Sequence, residues 1–381
     1  MKNIFIIIGV LVFVLVLGIW AYLFTFGTPQ SGAEIFTRFS GGSDAETFIP
    51  PENTSIDVSD VDTLGAPQAL KQLTTRPVAG AGFTSDGIRY VEQGTGHVYD
   101  INLQTGAETL QSGTTIPGAR DAVFSDDGLY AAITMLDEGD ERTLVGKLTS
   151  GTQFSGVTLP LGAKNIAFVN ASGTLEYTIN EGYSTLGYSY NMMKEADTMV
   201  FNLPLKDVGV LWGNPTYVFT TPSTKQMGYL YQVIKNDLHY VTKGGRGLAS
   251  FATHDGVMVT RSTDTLVKSF LITLDGERVT QPLPYIPEKC VSGETFLYCA
   301  IPKETLNTQA FPDDWYMGDV SFDDSLWIVD TKNQKAEVLV DFTGASGRAI
   351  DVLKIGADKE GKRVYLINKN DNTLWLFDTT L

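Results

Sequence analysis

Cysteine and histidine are scarce in this chain: Cys290 and Cys299, with His97, His239 and His254, are all that 381 residues contain. Zinc centres need clustered, regularly spaced Cys and His ligands, and neither an HExxH motif nor any Cys/His cluster of that kind occurs. A GxSxG nucleophile elbow is missing too. Basic residues are the next deficit, with 28 Lys and Arg against 44 Asp and Glu, a formal charge of −16. Such a balance lacks the cationic surface that nucleic-acid phosphates demand, so nucleic acid is excluded as a partner. Helix-like periodicity is rare, while 38 glycines and 15 prolines supply many turns. With 43% hydrophobic and 19% charged residues, material for a large core is nevertheless present.

One long apolar run stands apart. Residues 4–26 carry no charge and are long enough to cross a bilayer as a helix. Lys2 precedes the run and the next charged residue is Glu34, which orients the N-terminus inside. Trp20, Tyr22, Phe24 and Phe26 gather at the far end, where an aromatic belt would sit. A cleaved signal peptide would be shorter and end in a small-x-small site, and no such site is evident. The expected organisation is a cytoplasmic end at 1–3, a transmembrane anchor at 4–26 in contact with lipid, a flexible extracytoplasmic linker at 27–66, and a folded domain at 67–381. The two cysteines suit that compartment. In EKCVSGETFLYCA they flank a turn and would face each other across a hairpin, so Cys290 and Cys299 are the candidate disulfide.

The folded part repeats. TGHVYD (95–100), LGYSYN (186–191), MGYLYQ (227–232), SLWIVD (325–330) and TLWLFD (373–378) share one alternating pattern, a short strand with a buried face. They are separated by one or two multiples of about 40–50 residues, the length of a propeller blade. A second signal is a Gly-containing turn followed by a strand: SDGIRYV (85–91), SDDGLYAAI (125–133), SGTLEYTI (172–179), GNPTYVFT (213–220), DGVMVT (255–260), SGETFLYCA (292–300) and EGKRVYLI (360–367). Small residues precede several of these, in AGAGF (79–83), NIAFV (165–169) and LASFA (248–252), as suits inner strands converging on an axis. RTLVGKL (142–148) and LVKSFLIT (266–273) take the third-strand place in the two units without the ring motif. The predicted fold is all-β, a seven-bladed β-propeller, with six blades and a separate hairpin as the alternative count. TLWLFD reads as a third strand with almost no residues after it, and ALKQLTT (69–75) is a strand without a blade. Pairing the two closes the ring and removes an exposed edge.

The Ser-Asp-Gly and Ser-Asp-Asp-Gly turns, as in VFSDDGLYAAI at 123–133, resemble the repeats of WD40-like and TolB-type β-propellers over 67–381. Gly96-His97 occurs once, and no Trp-Asp dipeptide is present. The chain is also similar to uncharacterised single-pass, membrane-anchored bacterial propeller proteins, in RYVEQGTGHVYDINLQTG (89–106) and in YCAIP with PDDWYMGDVSFDDSLW within 298–327. The resemblance implies the fold and no particular activity, since propellers host enzymes, lectins and scaffolds alike.

One stretch breaks blade regularity: KETLNTQAFPDDWYMGDVSFD at 303–323, between strands two and three of the sixth blade. Loops on a rigid scaffold carry function disproportionately. Asp313, Asp314, Trp315 and Tyr316 set two carboxylates beside two amphipathic rings, a group that can stack on sugars or anchor a protein. Alternatively Trp315 folds inward and Pro312 and the aspartates shape a turn. Adjacent aspartates point apart, so they do not make the opposed pair of a glycosidase. His97 takes the ring position held elsewhere by Tyr188, Tyr229, Trp327 and Trp375, which implies packing. GADKEGKR (356–363) imitates a phosphate loop but has Arg where Ser or Thr holds the metal, and a strand follows instead of a helix. DEGDE (137–141) and NKNDN (368–372) lack the EF-hand pattern and read as solvated turns. No catalytic residue, metal site or cofactor is therefore assigned. The expected function is a non-enzymatic protein-binding or scaffold module of the cell envelope. The alternative is a glycan-active hydrolase or lyase, or a glycan-binding module, using the same loop face.

Overall fold

The computed structural model describes residues 69–380, apart from 149–152, 170–172, 264–265 and 308–309. The expected anchor at 4–26 and expected linker at 27–66 lie outside the described residues. Among the described residues no helix is long and apolar enough to cross a membrane.

Strands dominate, with two five-residue α-helices among the described residues, α1 (Asp313–Met317) and α2 (Phe342–Ser346). The strands form five four-stranded sheets and one of seven, all antiparallel. In chain order the sheets cover 78–112, 119–158, 164–203, 208–280 (the seven-stranded one), 290–341 and 352–378, the last joined by Leu70–Gln72. Each sheet lies between two others, so its middle strands are buried on both faces. In Gly87–Glu92, five of six residues are buried, which is why these strands read as nearly continuous apolar runs. Outer strands face water: Glu108–Ser112, Ala196–Leu203 and Lys335–Asp341 are mostly exposed.

The inner strands of the sheets, two of them from the seven-stranded one, touch in a closed cycle. Val78–Phe83 contacts Ala119–Phe124, followed by Lys164–Phe168, Val208–Leu211, Asp237–Thr253, Cys290–Ser292 and Val352–Ala357, which returns to Val78–Phe83. Small side chains permit this convergence. A Cβ on Gly80 would lie 2.0 Å from the Ala122 carbonyl oxygen, so only glycine lets these strands nest. Polar ties cross the cycle as well. Asn165 Nδ2 donates to Val208 O at 3.0 Å while its Oδ1 accepts from Val210 N at 3.1 Å. Lys354 Nζ reaches over to Asp121 and to Ala79 O.

The ring is closed where the sequence predicts it. Leu70–Gln72 pairs antiparallel with Leu374–Asp378, with Leu70 opposite Phe377 and Gln72 opposite Trp375. Bonds beyond the strand extend the seam: Asp378 N donates to Ala69 O and Leu73 N to Leu374 O, both at 2.8 Å. Leu70 is buried with Trp375, Phe377 and Val364 in one apolar cluster.

LASFA, expected as a short inner strand, is the end of a longer one. Asp237–Thr253 is one continuous strand, pairing with Met227–Ile234 on one side and Gly256–Ser262 on the other. The glycines serve close approach instead of a turn: a Cβ on Gly244 would come within 2.2 Å of Gly228 O. Cys290 lies opposite Cys299 in the hairpin and is disulfide-bonded to it.

Candidate functional site

The insertion at 303–323 lies between Leu297–Pro302 and Asp324–Asp330, as expected, and its centre is α1. Successive residues of a helix turn by about 100°, so neighbouring side chains face apart. Trp315 and Tyr316 do so. Trp315 is 3% exposed, packed with Val267, Ile286, Leu306 and Phe311, whereas Tyr316 is 40% exposed.

Beneath Trp315 lies a buried ionic group. Its indole Nε1 donates to Asp351 Oδ1 at 3.0 Å. Asp351 also meets Lys289 Nζ at 2.5 Å, and Lys289 meets Asp324 Oδ2 at 2.6 Å; all three side chains are fully buried. Val352 N donates to Asp324 Oδ2 at 2.7 Å. Lys369 Nζ closes the group from the other side, donating to Trp315 O at 2.5 Å and lying 4.4 Å from the indole centroid. The Lys289 ammonium sits 5.1 Å from the rings of both Trp315 and Phe322. Two cations and two carboxylates thus balance within the fold, as buried charges require. Burial still pushes the Asp324 carboxyl up to about 6 despite Lys289, and burial lowers the Lys369 ammonium.

Further bonds tie the insertion to the sheets on either side. Asp313 accepts from Thr224 N at 2.9 Å and Thr224 Oγ1 at 2.6 Å, and Ser262 Oγ donates to Phe311 O at 3.4 Å. Ser321 Oγ donates to Asn370 Oδ1 at 2.6 Å. Lys303 clamps the base, paired with Asp323 at 2.8 Å and with Asp341. The insertion is therefore a strap across one end of the ring, fixed to the 208–280 and 352–378 sheets as well as its own.

What the strap presents outward is Tyr316, Met317 and Asp319, all exposed. Tyr316 Oη donates to Glu288 Oε1 at 2.8 Å. Glu288 comes just before the inner strand Cys290–Ser292, which places it at the mouth of the axis. Both side chains touch solvent, yet desolvation raises the Glu288 carboxyl and, together with Glu288, raises the Tyr316 phenol.

The structure does not join Asp313 and Asp314 as a pair. Asp313 is committed to Thr224, while the Asp314 main chain shapes the end of α1, its carbonyl accepting from Asp319 N at 2.8 Å. His97 sits half-buried ahead of Val98–Asn102, with Nε2 3.3 Å from Thr115 Oγ1. His239 and His254 are exposed or half-buried at the surface. Among the described residues no group of three or more His, Cys, Asp or Glu could hold a metal ion. Sequence reasoning missed Glu288, Lys289, Asp324, Asp351 and Lys369. The available signal was position, since Lys289 and Asp351 each directly precede an inner strand.

No family model and no curated protein matches the chain. Solved structures do. The β-propeller domain of the trilobed protease from Pyrococcus furiosus aligns with TM-score 0.54 at 11% identity, over 79% of this chain and 95% of that one. An oligogalacturonate lyase in complex with manganese gives 0.55 at 11%, over 81% and 92%. The Cps50 (Swd1) β-propeller domain of Myceliophteria thermophila gives 0.51 at 10%, over 81% and 99%. The Pyrococcus domain has an open velcro topology, whereas here Leu70–Gln72 is hydrogen-bonded to Leu374–Asp378. Identities this low carry fold and no chemistry. With the closed cycle of inner strands, they show that this chain folds as a β-propeller.

Proposed function

We propose that the chain is a non-enzymatic, protein-binding propeller of seven blades, held outside the cytoplasm by a membrane anchor at 4–26. The blade count is supported by the 208–280 sheet, which divides at Asp237–Thr253 into two four-stranded units sharing that strand. The anchor rests on the charge-free run and the single preceding lysine. The Cys290–Cys299 disulfide supports an oxidising compartment.

The observation that carries the binding role is the strap. It is fixed on three sheets and shows an amphipathic ring, Tyr316, and a thioether, Met317, at the axial mouth. Rigid exposed aromatics lose little entropy on association and dominate interface energetics. The test is cross-linking in intact cells with the full-length chain. Tyr316→Ala with Met317→Ala should reduce partner capture by about tenfold or more, a typical hot-spot loss, while the thermal midpoint holds. Undiminished capture would refute the assignment. Turnover of a polysaccharide that vanishes on Asp313→Asn would replace it with the glycan-active alternative.

A further inference from the structure

We propose that the partner segment entering the axial mouth carries a lysine or arginine side chain, received by the Glu288 carboxylate and the Tyr316 ring. This rests on the protein-binding role and names the chemistry of that partner.

The first support is where the cations have gone. The lysines bonded to the strap or beneath it are already engaged: Lys289 with Asp324 and Asp351, Lys369 with the carbonyls of Trp315 and Val320, and Lys303 with Asp323 and Asp341. Glu288 makes no ion pair among the described residues, and its side-chain partner is the neutral hydroxyl of Tyr316. The mouth thus holds an exposed carboxylate without an ion-pair partner among the described residues.

The second support is the ring. Tyr316 is held by Glu288 at its hydroxyl and by Trp315 at 5.4 Å, an edge contact that fixes its plane. A fixed aromatic face beside a carboxylate is a receptor for an ammonium or guanidinium, which gains cation–π attraction and a charge-assisted hydrogen bond together. Such a pair strengthens as water is excluded, because Coulomb attraction rises when the effective dielectric falls. An acidic or neutral segment gains neither, and an acidic one meets repulsion. The net charge of −16 would also speed the approach of a basic partner.

The experiment uses the full-length chain in detergent micelles and a random heptapeptide library displayed on phage. Enriched peptides should share a Lys or Arg at one position. A synthetic copy of the best peptide should lose about tenfold in affinity when that residue becomes Met, roughly the worth of one close interfacial charge pair. Glu288→Gln should cost the basic peptide a similar factor and leave the Met peptide unaffected, the signature of direct coupling in a double-mutant cycle. The same variant should cut cross-linked capture in cells. Enriched peptides without a basic residue, a coupling below twofold, or capture indifferent to Glu288→Gln would each overturn the cation proposal. If capture still depends on Tyr316 and Met317, the protein-binding role survives that failure. Loss of both dependences removes the role itself.

Discussion

The seam that closes the ring and the strap that crosses it are both additions to the repeating sheet, and they are held in opposite ways. At the seam, Leu70–Gln72 joins Leu374–Asp378 through a backbone ladder, and Leu70 enters an apolar cluster. The strap has almost no ladder. A five-residue helix is far too short to persist alone, since helix nucleation is costly. Side chains hold it: Trp315 on Asp351, Lys369 on the Trp315 carbonyl, Asp313 on Thr224. A ladder tolerates changes of side chain as long as the strand remains. A buried ionic group does not, because removing one member leaves the others charged and unsolvated.

The largest test of that contrast is Lys289→Met. It takes the shared cation from Asp324 and Asp351, both fully buried, and should cost about 3–5 kcal/mol of stability in urea denaturation of the full-length chain. Proteolysis within 303–323 should accelerate while the seam stays closed. A loss below about 1 kcal/mol would mean that protons or water replace the cation, and that charge does not hold the strap. The matching change at the seam is Leu70→Ala. Its cost should fall toward the lower end of about 2–5 kcal/mol, because a three-residue strand at the edge of a sheet can shift to fill the space. Here the cleavage pattern should invert, opening near residues 69–75 and sparing the strap. Cleavage at both places in either variant would show the two regions to be one cooperative unit.

The same contrast explains what could be read in the sequence. Each of the seven Gly-turn segments leads into a strand paired with an inner one, as in Arg363–Asn368 after EGK and Gly256–Ser262 after the Asp255 turn. A two-residue period with a turn at its end is local, and local patterns survive in a linear string. The bounds of the insertion were legible for the same reason: it begins and ends where the period stops and resumes. Its interior was not. Lys289, Asp324, Asp351 and Lys369 come from different segments, and each alone reads as an ordinary charge at a strand end. Which of Trp315 and Tyr316 faces inward depends on the phase of one helical turn, fixed by Asp313 at one end and Lys369 at the other.

The smallest expected effect sharpens the comparison most, because the seam has no counterpart to it. Asp324 is fully buried, with Lys289 and the Val352 amide on one oxygen, and its other oxygen is buried without a partner among the described residues. Desolvation outweighs Lys289 and raises the carboxyl from 3.8 to about 6. As pH falls through about 6 the folded chain takes up a proton that the unfolded chain does not bind until about 3.8. This carboxyl therefore favours the fold increasingly between those values, the reverse of an exposed ion pair. The groups facing it are Lys289, Asp351 and, more distantly, Lys369, so the protonated state leaves Lys289 on Asp351 alone. Thermal melts of the wild type and of Asp324→Asn across pH 7 to 4.5 isolate the contribution, since background titration is common to both. The wild type should gain on the variant as pH falls, the gain setting in near 6 and still growing at the acid end of the range. A difference flat across that range would place the proton elsewhere in the group and leave Asp324 ionised against Lys289 throughout.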